Sequence, residues 1–440
     1  MDIKPVKNRR NRPAGQSRHL SAINQLKKQD KITVNSKHKP LSRVNRNFGN
    51  TGQKHKKFFQ KKLVLISVFI ALCALYLPAS KFIDSSDQYQ DLVGQSSSID
   101  NIFSEASYMP QKLFLFLSES NGFSSPLVLK IYSFLFSIIV VYLFYFVCLR
   151  WLGRNSAVLT TFLFASSSWM ILSSQSLNFS NIYLIFIPLA ICLNYLLTQN
   201  KKTWKLFVAV LLFAVALYSP GIVWSVLGFI VLLPLFMQKM LIKYNLGKIW
   251  TLLILTAVMI LPLFVSFVLY PDNFSHILAG DSQTTVEAFR QNLQVSLEAL
   301  FLNGIPYSNL WLVGTPIINY LTWLLFVFGL VALFVDRRLK HRFDFLVVSL
   351  IFAMLTITFV GLPALSLIVP IVYLTAGYGI KFLLDNWYSI FPNNPVARNL
   401  GLSLIVFVVV LSAGYSIARY YIAWPKAGNL ISISDSEKTI

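Results

Sequence analysis

The sequence predicts an all-α fold, a polytopic transmembrane helical bundle of about eleven spans. Three observations carry this expectation. Apolar runs of roughly 18–25 residues, long enough to cross a hydrocarbon core, recur along the chain. They are continuous rather than alternating, which argues against a membrane β-barrel and for helices that satisfy their own backbone. Mean hydropathy is +0.60, with 55% hydrophobic and 13% charged residues, a balance unlike that of soluble domains.

The elements follow in order. Residues 1–62 hold 18 Lys/Arg against only Asp2 and Asp30. This polar stretch has too few apolar clusters to bury a core and is expected to be a disordered cytoplasmic tail. It is too long for the n-region of a cleavable signal. Because it abuts a span, its charge reads as an orientation signal that also attracts anionic lipid headgroups; no nucleic-acid partner is expected. The first span is about Leu63–Ser80. Lys56, Lys57, Lys61 and Lys62 precede it and Asp84 and Asp87 follow it, so the positive-inside rule places the next loop outside.

That outer loop, residues 81–125, carries Asp84, Asp87, Asp91, Asp100, Glu105 and Glu119 against Lys81 and Lys112. Ile102, Phe103, Ala106, Met109 and Leu113 recur at helical spacing, with Asp100 placed to cap the helix. An amphipathic helix of this kind is expected to lie along the membrane surface.

The second, third and fourth spans are about Pro126–Leu149, Ser156–Ser173 and Asn181–Leu197, with an outer turn at 174–178. The run Leu206–Phe236 is too long for one span. Ser219-Pro220-Gly221 divides it into a fifth and a sixth, since Pro removes a donor and Gly lowers helix propensity. Tyr218 beside that break reads as an interface aromatic. The seventh span is about Ile249–Leu269.

Outer loop 270–314 follows. In it Thr284-x-x-Glu287 reads as a capping box, and Val286, Phe289, Leu293, Leu297 and Leu300 form an apolar stripe with Arg290 on the polar side. The last four spans are about Pro316–Val335, Phe345–Val360, Pro363–Leu384 and Leu400–Arg419, leaving 421–440 as an outer tail. Arg150 and Arg154, Lys201 and Lys202, Lys239 and Lys243, and Arg337 and Arg338 all fall at inner loops. Cys73, Cys148 and Cys192 sit within apolar runs and imply no disulfide framework. Three of five histidines lie in the tail, so no metal-ligand cluster and no cofactor is expected.

This layout over roughly 63–420 resembles the GT-C superfamily of integral-membrane glycosyltransferases, whose members include protein O-mannosyltransferases and aminoarabinose transferases. Three short stretches carry the likeness. Asn309-Leu310-Trp311 through Gly314, Pro316, Leu321-Thr322 and Phe326–Leu330 is similar to the family's outer loop and span entry. Leu365-Ser366-Leu367-Ile368-Val369-Pro370 through Ala376-Gly377-Tyr378-Gly379 resembles a family span. Ser174-Gln175 sits where many relatives have Ser-Gln-Glu-Ala-Arg.

The resemblance implies transfer of a sugar from a polyprenyl-phosphate donor to an acceptor hydroxyl at the outer face. A first-loop aspartate would serve as general base and a cation would hold the leaving phosphate. The chain departs from that pattern at several positions. Ser104 stands at the Asp of the family's Asp-Glu-Ala stretch, within Phe103-Ser104-Glu105-Ala106. Ser176 and Asn178 replace a Glu and an Arg, Asn319 replaces an Asp, and Ser124-Ser125-Pro126-Leu127 stands for His-Pro-Pro-Leu.

The candidate base is therefore Glu105, the one carboxylate inside the matching stretch, or Asp84 or Asp87 just past the first span. The candidate substrate-binding residues are Arg290, His276 and Gln175. Each has a plainer reading as well: solvated helix face, snorkelled span-end charge or turn residue. Asn178-Phe-Ser and Asn273-Phe-Ser match the glycosylation sequon. Two functional classes stand: a lipid-linked sugar transferase, or a non-catalytic relative that binds polyprenyl lipid or assists an active homologue. Ion-coupled transport is disfavoured because ionisable residues inside spans are scarce.

Overall fold

The structure, a computed structural model, describes residues 71–76, 94–122, 126–175, 179–198, 203–237, 246–279, 285–304, 312, 314–336, 339–423 and 425. All belong to the unit Phe69–Ile440. The described residues are helical, without a strand. Two short helices, α1 (Ile99–Ser104) and α2 (Met109–Ser120), precede the long α3 (Pro126–Trp151). Next come α4 (Arg154–Ala165), α5 (Ser168–Gln175), α6 (Tyr183–Thr198), α7 (Thr203–Ala216), α8 (Ile222–Met237) and α9 (Leu246–Leu269). Two further short elements follow, α10 (Asp272–Ala279) and α11 (Val286–Phe301). The chain then runs through α12 (Tyr320–Val335), α13 (Lys340–Val360), α14 (Ile368–Ile390) and α15 (Pro395–Ala418), which ends in a π-turn at Arg419–Ala423.

Helices stand where the second to eleventh spans are expected. Four are long and apolar enough to cross a membrane: Val128–Trp151, Lys340–Val360, Leu362–Ile390 and Pro395–Ala423. A fifth is the pair α4 and α5 taken together, bent by 57°. Tyr183–Leu196, Trp204–Ala216, Leu253–Leu269 and Tyr320–Val335 are apolar but shorter. The expected first span falls outside the described residues except for helical 71–76.

The sequence predicts one straight helix over Ser156–Ser173, and the observed bend has a side-chain cause. Ser166 Oγ donates to the Phe162 carbonyl at 2.7 Å and Ser167 Oγ to the Phe164 carbonyl at 2.7 Å. Ser167 Oγ also accepts from Met170 N–H at 3.2 Å. Hydroxyls thus replace backbone partners where the ladder opens, the usual basis of a sharp kink without proline.

The centre of the bundle is α14, in which every residue from Ile368 to Ile380 is buried. Its closest neighbour is α12, and glycines let the two backbones touch. A Cβ on Gly329 would stand 1.8 Å from the Thr375 carbonyl oxygen, and one on Gly379 would stand 2.1 Å from that of Leu325. On its other side Gly377 faces Leu152 and Thr160 with no room for a methyl group. Lipid tails are as apolar as leucine, so such close approach, rather than hydrophobic drive, holds helices together in a bilayer.

A second pair is α8 with α13. Trp224 stacks on Phe359 at 4.7 Å, Ser225 and Thr356 hydroxyls meet at 2.9 Å, and Gly228 lies under the Phe352 ring. The rim is set by α9, whose Trp250, Leu253, Ile254, Val258, Leu261, Phe264 and Val268 are all exposed. That is the pattern of a helix facing lipid rather than water.

Replacing Gly329 or Gly379 by Ala is expected to destabilise the protein by about 3 kcal/mol, because backbone cannot yield as a flexible side chain can. Thermal unfolding in detergent measures this. A melting temperature unchanged in both variants would refute the close approach. Gly94→Ala, where a Cβ meets nothing within 4 Å, is the matched control.

Candidate functional site

The end of the bundle at the N-terminus of α3 is built from segments distant in sequence. Residues 94–122 were expected to hold one amphipathic helix capped by Asp100. They form two helices, and the cap is Ser98, whose Oγ accepts from Asn101 N–H at 3.1 Å. Asp100 falls in the first turn instead, where a carboxylate still meets the helix dipole favourably. The break comes at Tyr108, whose φ of 59° is left-handed. Pro110 then starts α2.

The apolar spacing nevertheless picks out the inward face. Ile102, Ala106 and Met109 are buried in one cluster with Tyr218, Leu263 and Ile277, while Leu113 is exposed. This cluster joins segment 94–122 to the Ser219-Pro220-Gly221 break and to α10. Tyr108 N–H donates to the Tyr218 carbonyl at 2.9 Å and Gly221 N–H to the Ile277 carbonyl at 2.7 Å. Tyr218 itself is buried, not an interface aromatic. Its hydroxyl donates to the Met259 carbonyl at 2.6 Å, and burial pushes its pKa up to about 12. It therefore remains a hydrogen-bond donor at neutral pH.

Asn273 is the polar bolt of the joint. It is 2% exposed. Its Nδ2 donates to the Phe103 carbonyl at 2.9 Å and to Ser266 Oγ at 2.6 Å, and its Oδ1 accepts from Ala106 N–H at 3.4 Å. The Asn273-Phe-Ser sequon thus serves as structural glue, with no amide presented for modification. Asn178 of the other sequon lies outside the described residues.

The candidate base Glu105 is the C-cap of α1. Its carboxylate meets Lys112 Nζ at 3.0 Å, with the lysine side chain 2% exposed and the glutamate 40%. The same ammonium donates to the Glu105 carbonyl at 3.1 Å. A buried cation of this kind is retained only against a partner. Ser104 is exposed and donates back to the Asn101 carbonyl at 3.0 Å. Asp84 and Asp87 lie outside the described residues.

The other candidates are dispersed. His276 is exposed on α10, the helix that Asn273 pins to the Glu105 segment. Arg290 is exposed on α11, which docks elsewhere through Asn292, a donor to the Thr358 carbonyl at 3.2 Å. Thr284 lies outside the described residues; Thr285 is the N-cap of α11, accepting from Ala288 N–H at 3.2 Å. The expected stripe holds in part. Leu300 is buried and Phe289 and Leu293 are half-buried, but Val286 and Leu297 are exposed and Ser296 and Ala299 are buried in addition.

Gln175 is not a turn residue. It ends α5 and is 6% exposed. Its Nε2 donates to Tyr421 Oη at 2.8 Å and its Oε1 accepts from Tyr420 Oη at 3.0 Å. Its amide is thus spent on holding the π-turn of α15 rather than turned toward a sugar.

Two buried cations were not singled out from sequence. Lys112 is one, since sequence shows its charge but not its burial. Arg419 is the other. It is buried, donating to Ser168 Oγ at 3.1 Å, to the Ile317 carbonyl at 3.0 Å and to the Pro316 carbonyl. Beside it Asn319, where the family has Asp, caps α12 through Thr322 N–H at 2.8 Å and donates to Ser412 and Ser416 hydroxyls at 2.8 and 2.9 Å. The available signal for Arg419 was its position at the end of a long apolar run.

A scan against protein-family models finds no match to this chain, and a search of curated proteins finds none either. Among the described residues no group of His, Cys, Asp and Glu could hold a metal ion.

Replacing Asn273 by Ala leaves the Phe103 carbonyl and Ala106 N–H without their partner, at a cost of about 2–4 kcal/mol. Limited proteolysis is expected to cut within 94–122 several times faster in the variant. Equal cleavage rates would show that the joint does not depend on this side chain.

Proposed function

We propose that this protein is an integral-membrane glycosyltransferase of the GT-C type, with eleven spans and its reactive end on the outer face. It moves a sugar from a polyprenyl phosphate to an acceptor hydroxyl. The observation that carries the reading is the Glu105 carboxylate held at 3.0 Å from the buried Lys112 ammonium. It places an ordered carboxylate inside the stretch that resembles the family's first outer loop.

In this reading Glu105 takes the proton of the acceptor hydroxyl. The acceptor oxygen bonds to the anomeric carbon as the bond to the phosphate oxygen breaks, and the electron pair leaves on the polyprenyl phosphate. Attack from the face opposite the leaving group inverts the anomeric centre. Lys112 positions the base by gripping both its carboxylate and its main-chain carbonyl. His276 on adjoining α10 is the side chain proposed to donate to the phosphate, with Arg290 of α11 as the alternative. Asp84 and Asp87 remain alternative bases on the same loop.

A second reading has its own observations. Ser104 replaces an acid, and the Gln175 amide is occupied by Tyr420 and Tyr421. Both suit a scaffold that binds polyprenyl lipid without turnover.

The readings separate in a strain lacking the gene, complemented with Glu105→Gln and analysed for surface glycans by mass spectrometry. Loss of a general base is expected to cost about 10²–10⁴-fold in transfer, with expression and melting temperature retained. Wild-type glycans from this variant would remove Glu105 as the base. Deletion without any glycan change would favour the scaffold reading.

A further inference from the structure

The first turn of α2 buries a side chain that the fold leaves without a task. Gln111 is 2% exposed, and neither its Nε2 nor its Oε1 has a hydrogen-bond partner among the described residues. We propose that this amide binds two neighbouring hydroxyls of an uncharged sugar, the one carried by the polyprenyl phosphate donor. This rests on the sugar transfer proposed above and names the side chain that reads the sugar.

A primary amide offers two N–H donors and a carbonyl with two lone pairs. Buried and unpaired, such a group is costly, and each case in a folded protein calls for a cause. The side chains around Gln111 do not supply one. Leu115, one turn on, is fully buried with Leu129 and Phe179, and Tyr108 and Tyr132 pack against them. The Tyr132 hydroxyl lies near the amide without the geometry of a hydrogen bond. The Tyr108 hydroxyl turns to that of Tyr183 at 3.4 Å, which in turn donates to the Pro220 carbonyl at 2.6 Å.

The surroundings select the ligand. Phe179 stands 6.0 Å from the Tyr108 ring and 6.1 Å from the Tyr132 ring, the second contact edge-on. Aromatic walls with a few placed polar groups are the usual make-up of a small-molecule site, and the C–H face of a sugar ring lies well against such rings. A hydroxyl both donates and accepts, as the amide does, so two adjacent sugar hydroxyls can take its N–H and its carbonyl together. A carboxylate would only accept and an ammonium only donate. The next residue, Lys112, is already met by Glu105 at 3.0 Å. That neutralises the local charge and suits a neutral hexose rather than an amino sugar or a uronic acid.

The position fits a lipid-borne donor. Lys112 follows Gln111 directly and grips Glu105, so the sugar-reading amide and the proposed base are tied to one turn of α2. The opposite face of α2 carries Leu113, Phe114 and Leu117, all exposed, an apolar approach for a prenyl chain. Both amide atoms are closed to solvent, so α2 shifts from the start of α3 as the sugar enters.

Thermal unfolding and lipid titration of the full chain in detergent test this, comparing wild type with Gln111→Met. The probes are farnesyl phosphate, farnesyl phosphate carrying glucose, mannose or galactose, and the methyl glycosides of those sugars. Exchanging an unpaired amide for an apolar chain of similar size removes a burial cost, so the ligand-free variant should melt about 2–4 °C higher. Wild type should bind one of the glycosyl lipids about tenfold more tightly than farnesyl phosphate. The variant should lose that preference and still bind farnesyl phosphate. A lower melting temperature in the variant would show an amide already satisfied and would overturn the proposal. A preference unchanged in the variant would overturn it too, while leaving sugar transfer standing. Equal binding of all four lipids by wild type would also overturn it and favour the passive scaffold. If no lipid bound wild type, the transferase reading would fail and this inference with it. Binding of a methyl glycoside alone, lost in the variant, would support the hydroxyl site and make the acceptor its source. Ser296, buried on α11 with an unpartnered Oγ, provides the control: Ser296→Ala should also melt higher, yet keep the lipid preference.

Discussion

The contact on which the rest depends is backbone against backbone between α12 and α14. At Gly329 and Gly379 the helices approach until a carbonyl oxygen occupies the space a methyl group would need. Between helices surrounded by lipid there is little gain from hiding apolar surface, so contact must come from shape and from buried hydrogen bonds. Small residues on α14, including Thr375, Ala376, Gly377 and Gly379, serve that purpose on two faces. The middle of the bundle is consequently filled around α14.

The two ends of the bundle are finished differently. At the α3 N-terminal end, polar side chains are aimed at main-chain groups. Asn273 holds the 103–106 segment, Lys112 closes the stop of α1, and Arg419 gathers the approach to α12. Arg419 spends its donors on carbonyls and a hydroxyl rather than on a carboxylate. Asn319 does the same as a cap. Neutral side chains at these positions are therefore compatible with a well-ordered scaffold, because they have bonding roles of their own. At the α3 C-terminal end Lys381 pairs instead with Asp385 at 2.9 Å beside an open cavity.

How much was legible in the sequence follows from what each signal measures. Long apolar runs located the helices well, because a run of that length has few alternatives. The Ser219-Pro220-Gly221 break was legible for the same reason that proline and glycine end helices elsewhere. The faces were legible only in part. Ile102, Ala106 and Met109 faced inward as their spacing implied, and so did Leu300 on α11, but Val286 and Leu297 of that stripe pointed outward while Ser296 and Ala299 turned inward. Where the surroundings of a helix are themselves apolar, hydrophobicity stops reporting burial and small size reports it better. Caps missed by one or two positions, Ser98 for Asp100 and Thr285 for Thr284. Several acceptors stood in a row there, and only backbone geometry chooses among them. The role of Gln175 was hidden by distance, since its tyrosine partners come some 245 residues later. The bend at Ser166 and Ser167 is a local effect that the serines did announce, but only as composition.

The Glu105–Lys112 pair is where structure and proposed chemistry have to be told apart, and they divide by atom. The lysine's bond to the Glu105 carbonyl closes the end of α1 and needs no carboxylate at all. A helix stop alone would be served as well by a glycine or a water, without the cost of sinking a cation to near-complete burial. The side-chain contact adds nothing to that closure. What it does add is order. It fixes a carboxylate that is still 40% exposed and would otherwise sample several rotamers. Sinking an ammonium to near-complete burial is costly without a partner, and this carboxylate and carbonyl together supply two. The pair is therefore ordered by the burial of its cation rather than by the attraction of two exposed charges, which alone is worth little.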